Sequence, residues 1–404
     1  MNNSVVTTSN GAAGGIVGYI GAGSQVKFDG CHVAGTSVSG TAGEGHFVGL
    51  FSGYDNSETL TFGDNCTCTP SVDRGQTVTK YREGNEATWL AGNDYTKFND
   101  WLGDEECYRG VVKYGENRFI PKWDGETKIE PLKDGSTILI YSAFDLASLQ
   151  GKSHSSVKFM EDVDLGGDRS DKTNNFQQIS GISALEGNSK TIYNLYIEAK
   201  NWIGAFIGAS SGTTLHKNLK FKNAAVVLEP GEGSELAYAA ILCSYIEGNY
   251  TVQDVEIDGA YVLGISKSGG LNGFVTASAS FYTAKNCRVN GLRIENKYLH
   301  LDTETFAASG EIGGLVGFIQ QSALIESCSV TNSAINCKHS ALRHVNQFIG
   351  TTRLDDRSQR IDINSCSVSG NTYESDKDEK NKLVGGFSLS ILQKGKVYID
   401  SKKI

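Results

Sequence analysis

Residues 311–330 read Glu311-Ile312-Gly313-Gly314-Leu315-Val316-Gly317-Phe318-Ile319-Gln320-Gln321-Ser322-Ala323-Leu324-Ile325-Glu326-Ser327-Cys328-Ser329-Val330, and the unit they contain recurs through most of the chain. Two short strands are predicted. The first, residues 314–319, pairs bulky apolar residues with glycines that leave room for a neighbouring backbone. The second, residues 324–330, alternates by twos, and its parity turns Cys328 and Val330 toward a core.

The same unit returns with other letters. It reads Gly15-Ile16-Val17-Gly18 followed by Cys31-His32-Val33, then Ile203-Gly204-Ala205-Phe206-Ile207-Gly208 followed by Leu219. Later copies are Phe274-Val275 with Cys287-Arg288-Val289, and Phe348-Ile349-Gly350 with Cys366-Ser367-Val368. Taking the inner position of the second strand at Leu195, Leu219, Val255, Cys287, Cys328 and Cys366 gives spacings of 24, 36, 32, 41 and 38 residues. The period is loose and the element constant, as in a solenoid whose stacking strands are kept while its loops vary. Strands about 4.8 Å apart stack like residues on like, so these six form an expected core ladder, with Cys31 in the matching place of its own unit. A place that accepts Leu, Val or Cys is apolar, and its thiols are expected to be buried, reduced and silent. The motif glycines Gly15, Gly18, Gly204, Gly208, Gly314 and Gly317 are expected where a neighbour comes too close for a Cβ. The fold class expected is all-β: a parallel β-helix with irregular coil lengths and a small aromatic-rich cap or linker unit.

Gly314-Leu315-Val316-Gly317 resembles the GLUG motif of bacterial surface proteins, many of them from gut Bacteroidetes. A second stretch is similar to the segment that opens such repeat domains. It comprises Trp123-Asp124-Gly125, Ile138-Leu139-Ile140-Tyr141-Ser142-Ala143-Phe144-Asp145-Leu146 and Val163-Asp164-Leu165-Gly166-Gly167. It runs on into Leu185-Glu186-Gly187, where an Asp-Gly is more usual in the family. The resemblance covers the chain from Trp123 to the end and part of what precedes Cys68. It implies a right-handed parallel β-helix and a cell-surface or extracellular setting. It implies no single activity, and the IgA-peptidase-like labels given to some relatives do not fix one.

The chain has 404 residues, with 48 Gly and only 4 Pro, a balance that suits stacked strands with glycine at turns rather than a Pro-rich disordered chain. Its net charge of −9, without clustered Lys or Arg, excludes nucleic acid and anionic membrane as expected partners. No apolar run approaches a membrane span, and Met1-Asn2-Asn3-Ser4 lacks the features of a signal peptide. Because the chain begins almost inside a coil, it is expected to be a piece of a longer protein.

Three regions follow. Residues 1–70 hold two β-helix coils, too few to bury a core unaided. Residues 71–135 lose the repeat and hold Trp89, Trp101 and Trp123, with a short amphipathic helix expected over residues 95–102. They read as a cap or linker unit, since solenoid ends need covering, or as an aromatic sugar platform carried by Trp89 and Trp101. Residues 136–404 form the main array, opened by a strand and a helical turn within residues 138–149. Polar insertions at residues 229–236, 296–309 and 371–382 are where a ligand would be met.

Catalytic signatures are sparse. His-Glu-x-x-His and P-loop sequences are absent, which weighs against zinc-peptidase and nucleotide chemistry. His339 and His344 are five apart, and Cys66-Thr67-Cys68 has no second pair at finger spacing, so no metal and no cofactor is expected. A lyase or hydrolase site needs paired carboxylates, or an acidic cluster holding Ca²⁺ beside a base. The candidates are Asp355-Asp356-Arg357 and Glu161-Asp162-Val163-Asp164, which in a chain with 46 acidic residues read first as turn residues and surface charge. The function expected is a non-catalytic surface or secreted protein that binds host or dietary glycan or a surface protein. The alternative is a polysaccharide lyase or glycoside hydrolase acting on a lateral face.

Overall fold

The computed structural model describes residues 123–126, 128, 130–200, 202–229, 237–295, 311–336, 345–373, 383–384 and 395–404 with their side chains. Outside these it describes Ile16, Val17, Gly18, Ser24 and Gln25, and the backbone of further strands. The chain divides into two compact units. One is Met1–Glu130 with Ile140–Leu146 and Glu161–Asp164; the other is Pro131–Leu139, Ala147–Met160 and Leu165–Ile404.

In the first unit, parallel pairs repeat in order along the chain. Val5–Thr8 pairs with Ser37–Gly40, Ala12–Gly14 with Phe47–Gly49 and Val17–Ile20 with Ser52–Asp55. Gln25–Phe28 then pairs with Thr59–Phe62 and His32–Ala34 with Thr67–Thr69. The pattern changes after residue 70. Thr77–Lys80 and Thr88–Ala91 pair antiparallel, with Trp89 opposite Thr79, and Val111–Tyr114 and Asn117–Phe119 pair antiparallel as well. Trp101, Cys31, Gly15, His339 and the helix expected over residues 95–102 lie outside the described residues. In the opening segment, Asp145 Oδ2 accepts the backbone N–H groups of Tyr141 and Ser142 while Ser142 Oγ accepts from Asp145 N, which fixes the start of the helix Ala143–Ala147.

The second unit is built from parallel sheets. A six-stranded sheet runs Tyr196–Ala199, Ala225–Leu228, Tyr261–Gly264, Arg293–Asn296, Ala334–Cys337 and Thr372–Glu374. A five-stranded sheet runs Ile203–Gly204, Tyr238–Ala239, Lys267–Gly269, Gly310–Gly313 and Arg343–Asn346. A longer sheet includes Thr213–Lys222, Cys243–Gln253 and Asn272–Lys285, then Val316–Ile319 with Ala323–Glu326, and Ile349–Thr352 with Arg360–Asn364. Each strand therefore pairs with its own counterpart one repeat later. Among the described residues no helix is long and apolar enough to cross a membrane.

Register stacks like on like. Ile192, Phe221, Ile257, Val289 and Val330 form one buried inner row. Leu219, Val255, Cys287, Cys328 and Cys366 hold equivalent places beside it, each one residue before a paired strand position. Two expectations are corrected here. Leu195 does not stand at the foot of that row: Tyr196 pairs with Ala225, which aligns Leu195 with Ala224, while Lys190 is the residue that pairs with Leu219. Cys366 is only half-buried, and beyond it the chain turns back at Asp400 and Ser401 into an antiparallel hairpin.

The alternation expected over residues 324–330 breaks as well. Ile325 is buried and Leu324 faces outward, yet Cys328 and Val330 are buried, so the parity flips between two strands, Ala323–Glu326 and Ser329–Thr331. Ser327 between them has φ of 56°, and Asn218, Asp254, Asn286 and Ser365 hold the same left-handed conformation at the equivalent places. A second left-handed corner follows at Asn223, Gly259, Gly291, Asn332 and Gly370, with Asn194 preceding Leu195 in the same way. Asn, Asp, Ser and Gly tolerate this backbone where a β-branched residue would not, and each such corner resets which face a side chain meets.

Candidate functional site

The motif stretch is also two strands, not one. Gly314 and Leu315 form a bend between Gly310–Gly313 in the five-stranded sheet and Val316–Ile319 in the long sheet. Leu315 is fully buried, and its backbone bonds run to Leu271 in one neighbouring round and Phe348 in the other. At Gly314 an added Cβ would strike the carbonyl of Gln347, and at Gly317 it would lie 2.6 Å from Gly273 O and Ser268 N. The motif thus folds the chain sharply enough to bring the outer sides of two sheets against each other.

That bend assembles an aromatic corner. On the five-stranded sheet the row is Ile203, Tyr238, Lys267 and Glu311, with His344 next in register. On the long sheet the facing row is Ala209, Tyr245, Phe274 and Phe318. Ile203, Tyr238, Phe274 and Phe318 pack as one cluster with Tyr245 against it. Phe274 and Phe318 stack at 5.4 Å and 8°, and Tyr238 stacks on Tyr245 at 5.5 Å and 22°. At one end stands Trp202, 47% exposed, meeting Tyr238 at 5.6 Å and Tyr245 at 5.4 Å, both at 81°. Tyr245 donates its hydroxyl to Glu247 at 3.3 Å. Burial, then the Tyr245 and Glu311 groups, pushes the Tyr238 phenol up to about 12, so it stays a neutral donor at any physiological pH.

Lys267 lies inside this corner. Its Nζ is 3.5 Å from Glu311 Oε2, with the two side chains 7% and 3% exposed. It is also 5.3 to 5.7 Å from the centroids of Tyr238, Phe274 and Phe318, within range of cation–π attraction.

The acidic candidates are placed differently. Asp355 pairs with Arg353 at 2.9 Å, and Asp356 Oδ1 accepts from both the N–H and the hydroxyl of Ser358, an exposed turn in which Arg357 is exposed too. Asp162 and Asp164 are buried, and the Asp164 carbonyl accepts the N–H of the buried Trp123. On the outer long-sheet face, acids meet bases across strands: Glu186 with Lys217 at 3.0 Å, Glu256 with Lys220 at 3.5 Å and Glu326 with Lys285 at 3.4 Å. Thr251, Gln253, Thr283 and Asn364 continue that face in register, with the exposed Leu215 and the partly exposed Leu324 in the row of Thr251 and Thr283. Among the described residues no three His, Cys, Asp or Glu converge as metal ligands would.

A buried polar chain lies inside the core. His216 Nε2 is 2.7 Å from the carbonyl of Ile182, so it carries the proton, and Nδ1 accepts the Tyr250 hydroxyl at 3.0 Å. Asn272 donates to Tyr250 and to the Cys243 carbonyl, and accepts from Tyr282 at 2.8 Å. Sequence reading missed this chain and the aromatic corner alike, because their members sit in different rounds and meet only through register.

No family model and no curated protein matches the chain. Among solved structures it is similar to a protein from Bacteroides ovatus provisionally named an immunoglobulin A1 protease, at 16% identity and a TM-score of 0.29, over 66% of this chain and 78% of that one. A likeness of that size carries no argument about activity.

Proposed function

We propose that this chain is a right-handed parallel β-helix of the GLUG-motif kind, acting as a non-catalytic surface or secreted protein that binds carbohydrate of host or dietary origin at the Trp202 corner. The observation that carries the reading is Trp202 itself: a half-exposed indole held at near right angles by the buried Tyr238 and the partly buried Tyr245. A rigid aromatic face of this kind stacks against the apolar face of a sugar ring at little entropic cost, while the Tyr245–Glu247 pair beside it supplies polar partners for hydroxyls. Right-handedness is supported by the parallel pairing of successive rounds, since parallel crossovers within one sheet take that hand in about 98% of cases. The surface setting rests on the motif resemblance.

The lyase or hydrolase alternative draws less support from the lateral face, where carboxylates are paired across strands and Asp355 and Asp356 are committed to a turn. Incubating the protein with panels of plant and mucosal polysaccharides tests the choice. The expected result is retention of one glycan class with no new reducing ends and no unsaturated products; steady product release would overturn the non-catalytic reading.

A further inference from the structure

Tyr245 and Glu247 are two residues apart on the strand Cys243–Gln253, so Glu247 shares the outward face on which Tyr245 meets Trp202. The pairing is irregular there. Ile246 pairs with Val275 and Gly248 with Ala279, so the three residues 276–278 stand opposite Glu247 alone, a bulge of the kind that re-aims the side chain beside it. On the preceding strands Ser210 pairs with Ile246 and Thr213 with Asn249, which sets Ser211 level with Glu247.

Neither neighbouring round brings a cation. Glu186, Glu256 and Glu326 on the same sheet each meet a lysine across strands, whereas the residues level with Glu247 are Ser211, Thr276, Ala277 and Ser278. Its carboxylate is partly exposed and takes one hydrogen bond, from the Tyr245 hydroxyl to Oε1 at 3.3 Å; among the described residues it forms no ion pair. Lys267, the base inside the corner, is matched by Glu311, and the charge of Lys200 bears on Glu198. Glu247 Oε2 is left to a ligand.

An unpaired carboxylate beside an exposed indole has a restricted choice of partners. It accepts O–H groups, and bonds from hydroxyl to carboxylate are shorter and about twice as strong as those between neutral groups. Its two oxygens suit two adjacent hydroxyls of one sugar ring whose apolar face lies on Trp202. A second carboxylate or a sulfate brought to the same place would meet like charge with no cation to offset it. On the carbohydrate reading of the Trp202 corner, on which this rests, we infer that Glu247 sets the specificity of the site. It admits glycans that present adjacent free hydroxyls and no acidic group, and it rejects sialylated, uronate-containing and sulfated ones.

Binding of the full chain, Glu247→Gln and Glu247→Lys to an array of neutral, sialylated, uronate-containing and sulfated glycans tests this. The wild type should retain neutral glycans only, and Glu247→Gln should weaken that binding by roughly tenfold, the loss of one charge-assisted bond. Glu247→Lys should lose the neutral ligands and gain acidic ones. Both variants should melt with the wild type, because the native contact removed is a single 3.3 Å bond. Acidic glycans bound as well as neutral ones by the wild type, or neutral glycans held equally by the wild type and Glu247→Gln, would overturn the inference and leave the carbohydrate reading standing. Binding of no glycan at all would strike the carbohydrate reading, and this inference with it.

Discussion

At the residue scale, the motif glycines are not equivalent. A Cβ on Gly317 meets backbone atoms of Gly273 and Ser268, which belong to the paired strands and cannot yield without breaking them, whereas a Cβ on Gly208 meets the far end of the Gln178 side chain. Overpacking in a constrained core costs roughly 1–3 kcal/mol. Gly317→Val should therefore lower the melting temperature clearly, and Gly208→Ala should leave it nearly unchanged; equal effects from the two would remove the close-approach account of the motif. The thiols give a second test. Cys243, Cys287 and Cys328 are buried and free, and Cys366 is half-buried and free. Burial pushes the Cys243 thiol up to about 12; a hydrogen bond with Cys287 raises Cys328, and one with Cys328 raises Cys366, burial adding to both. Thiolates are the reactive form, so the native protein should react slowly or not at all with a thiol reagent, and unfolding without reductant should expose at least these four thiols. Rapid labelling of Cys328 in the native state would contradict the inward row.

At the element scale, the row built on Leu219, Val255, Cys287, Cys328 and Cys366 was legible because each letter is small and apolar and recurs at a comparable interval. What misled was the assumption of one uninterrupted strand. The left-handed corners at Ser327 and its equivalents reset the parity, and the corner at Asn194 moves Leu195 into the register of Ala224. The clue was present as Asn, Asp or Ser one residue before each inner position, but polar residues there also fit an ordinary loop. The His216 chain allows a test at this scale. Burial holds His216 at about 4 against an ordinary 6.5, the Ile182 bond opposing the shift, so the unfolded chain binds more protons between those values. Stability from this group is complete above about pH 6.5 and is lost as the pH falls toward 4; at 1.36 kcal/mol per unit the loss is roughly 3 kcal/mol. Urea unfolding of the wild type should weaken by about that much more than His216→Gln over this window. Parallel curves for the two proteins would show that the buried imidazole does not carry the dependence.

At the scale of the whole molecule, parallel pairing of each strand with its counterpart one repeat on explains how distant residues become a surface. Trp202, Tyr238 and Phe274 stand 36 residues apart in turn, but Tyr245 and Phe318 fall outside that interval, and the five become one group only where two sheets lie side by side. The sequence also points to aromatic side chains as a sugar platform through Trp89 and Trp101, which lie close together along the chain. The charged candidates, Asp355 and Asp356, were visible for their letters alone, and their partners in the turn could be read only from coordinates.

A glycan array probed with the wild-type chain and with Trp202→Ala tests the central claim most directly. Aromatic contacts are worth about 0.5–1.5 kcal/mol beyond their buried area, so removing the indole should weaken binding by about tenfold or more, with the melting temperature little changed because Trp202 is half-exposed. The account expects a defined set of carbohydrate ligands bound by the wild type and lost in the variant. Equal binding by both proteins, or binding by neither to any carbohydrate, would contradict it.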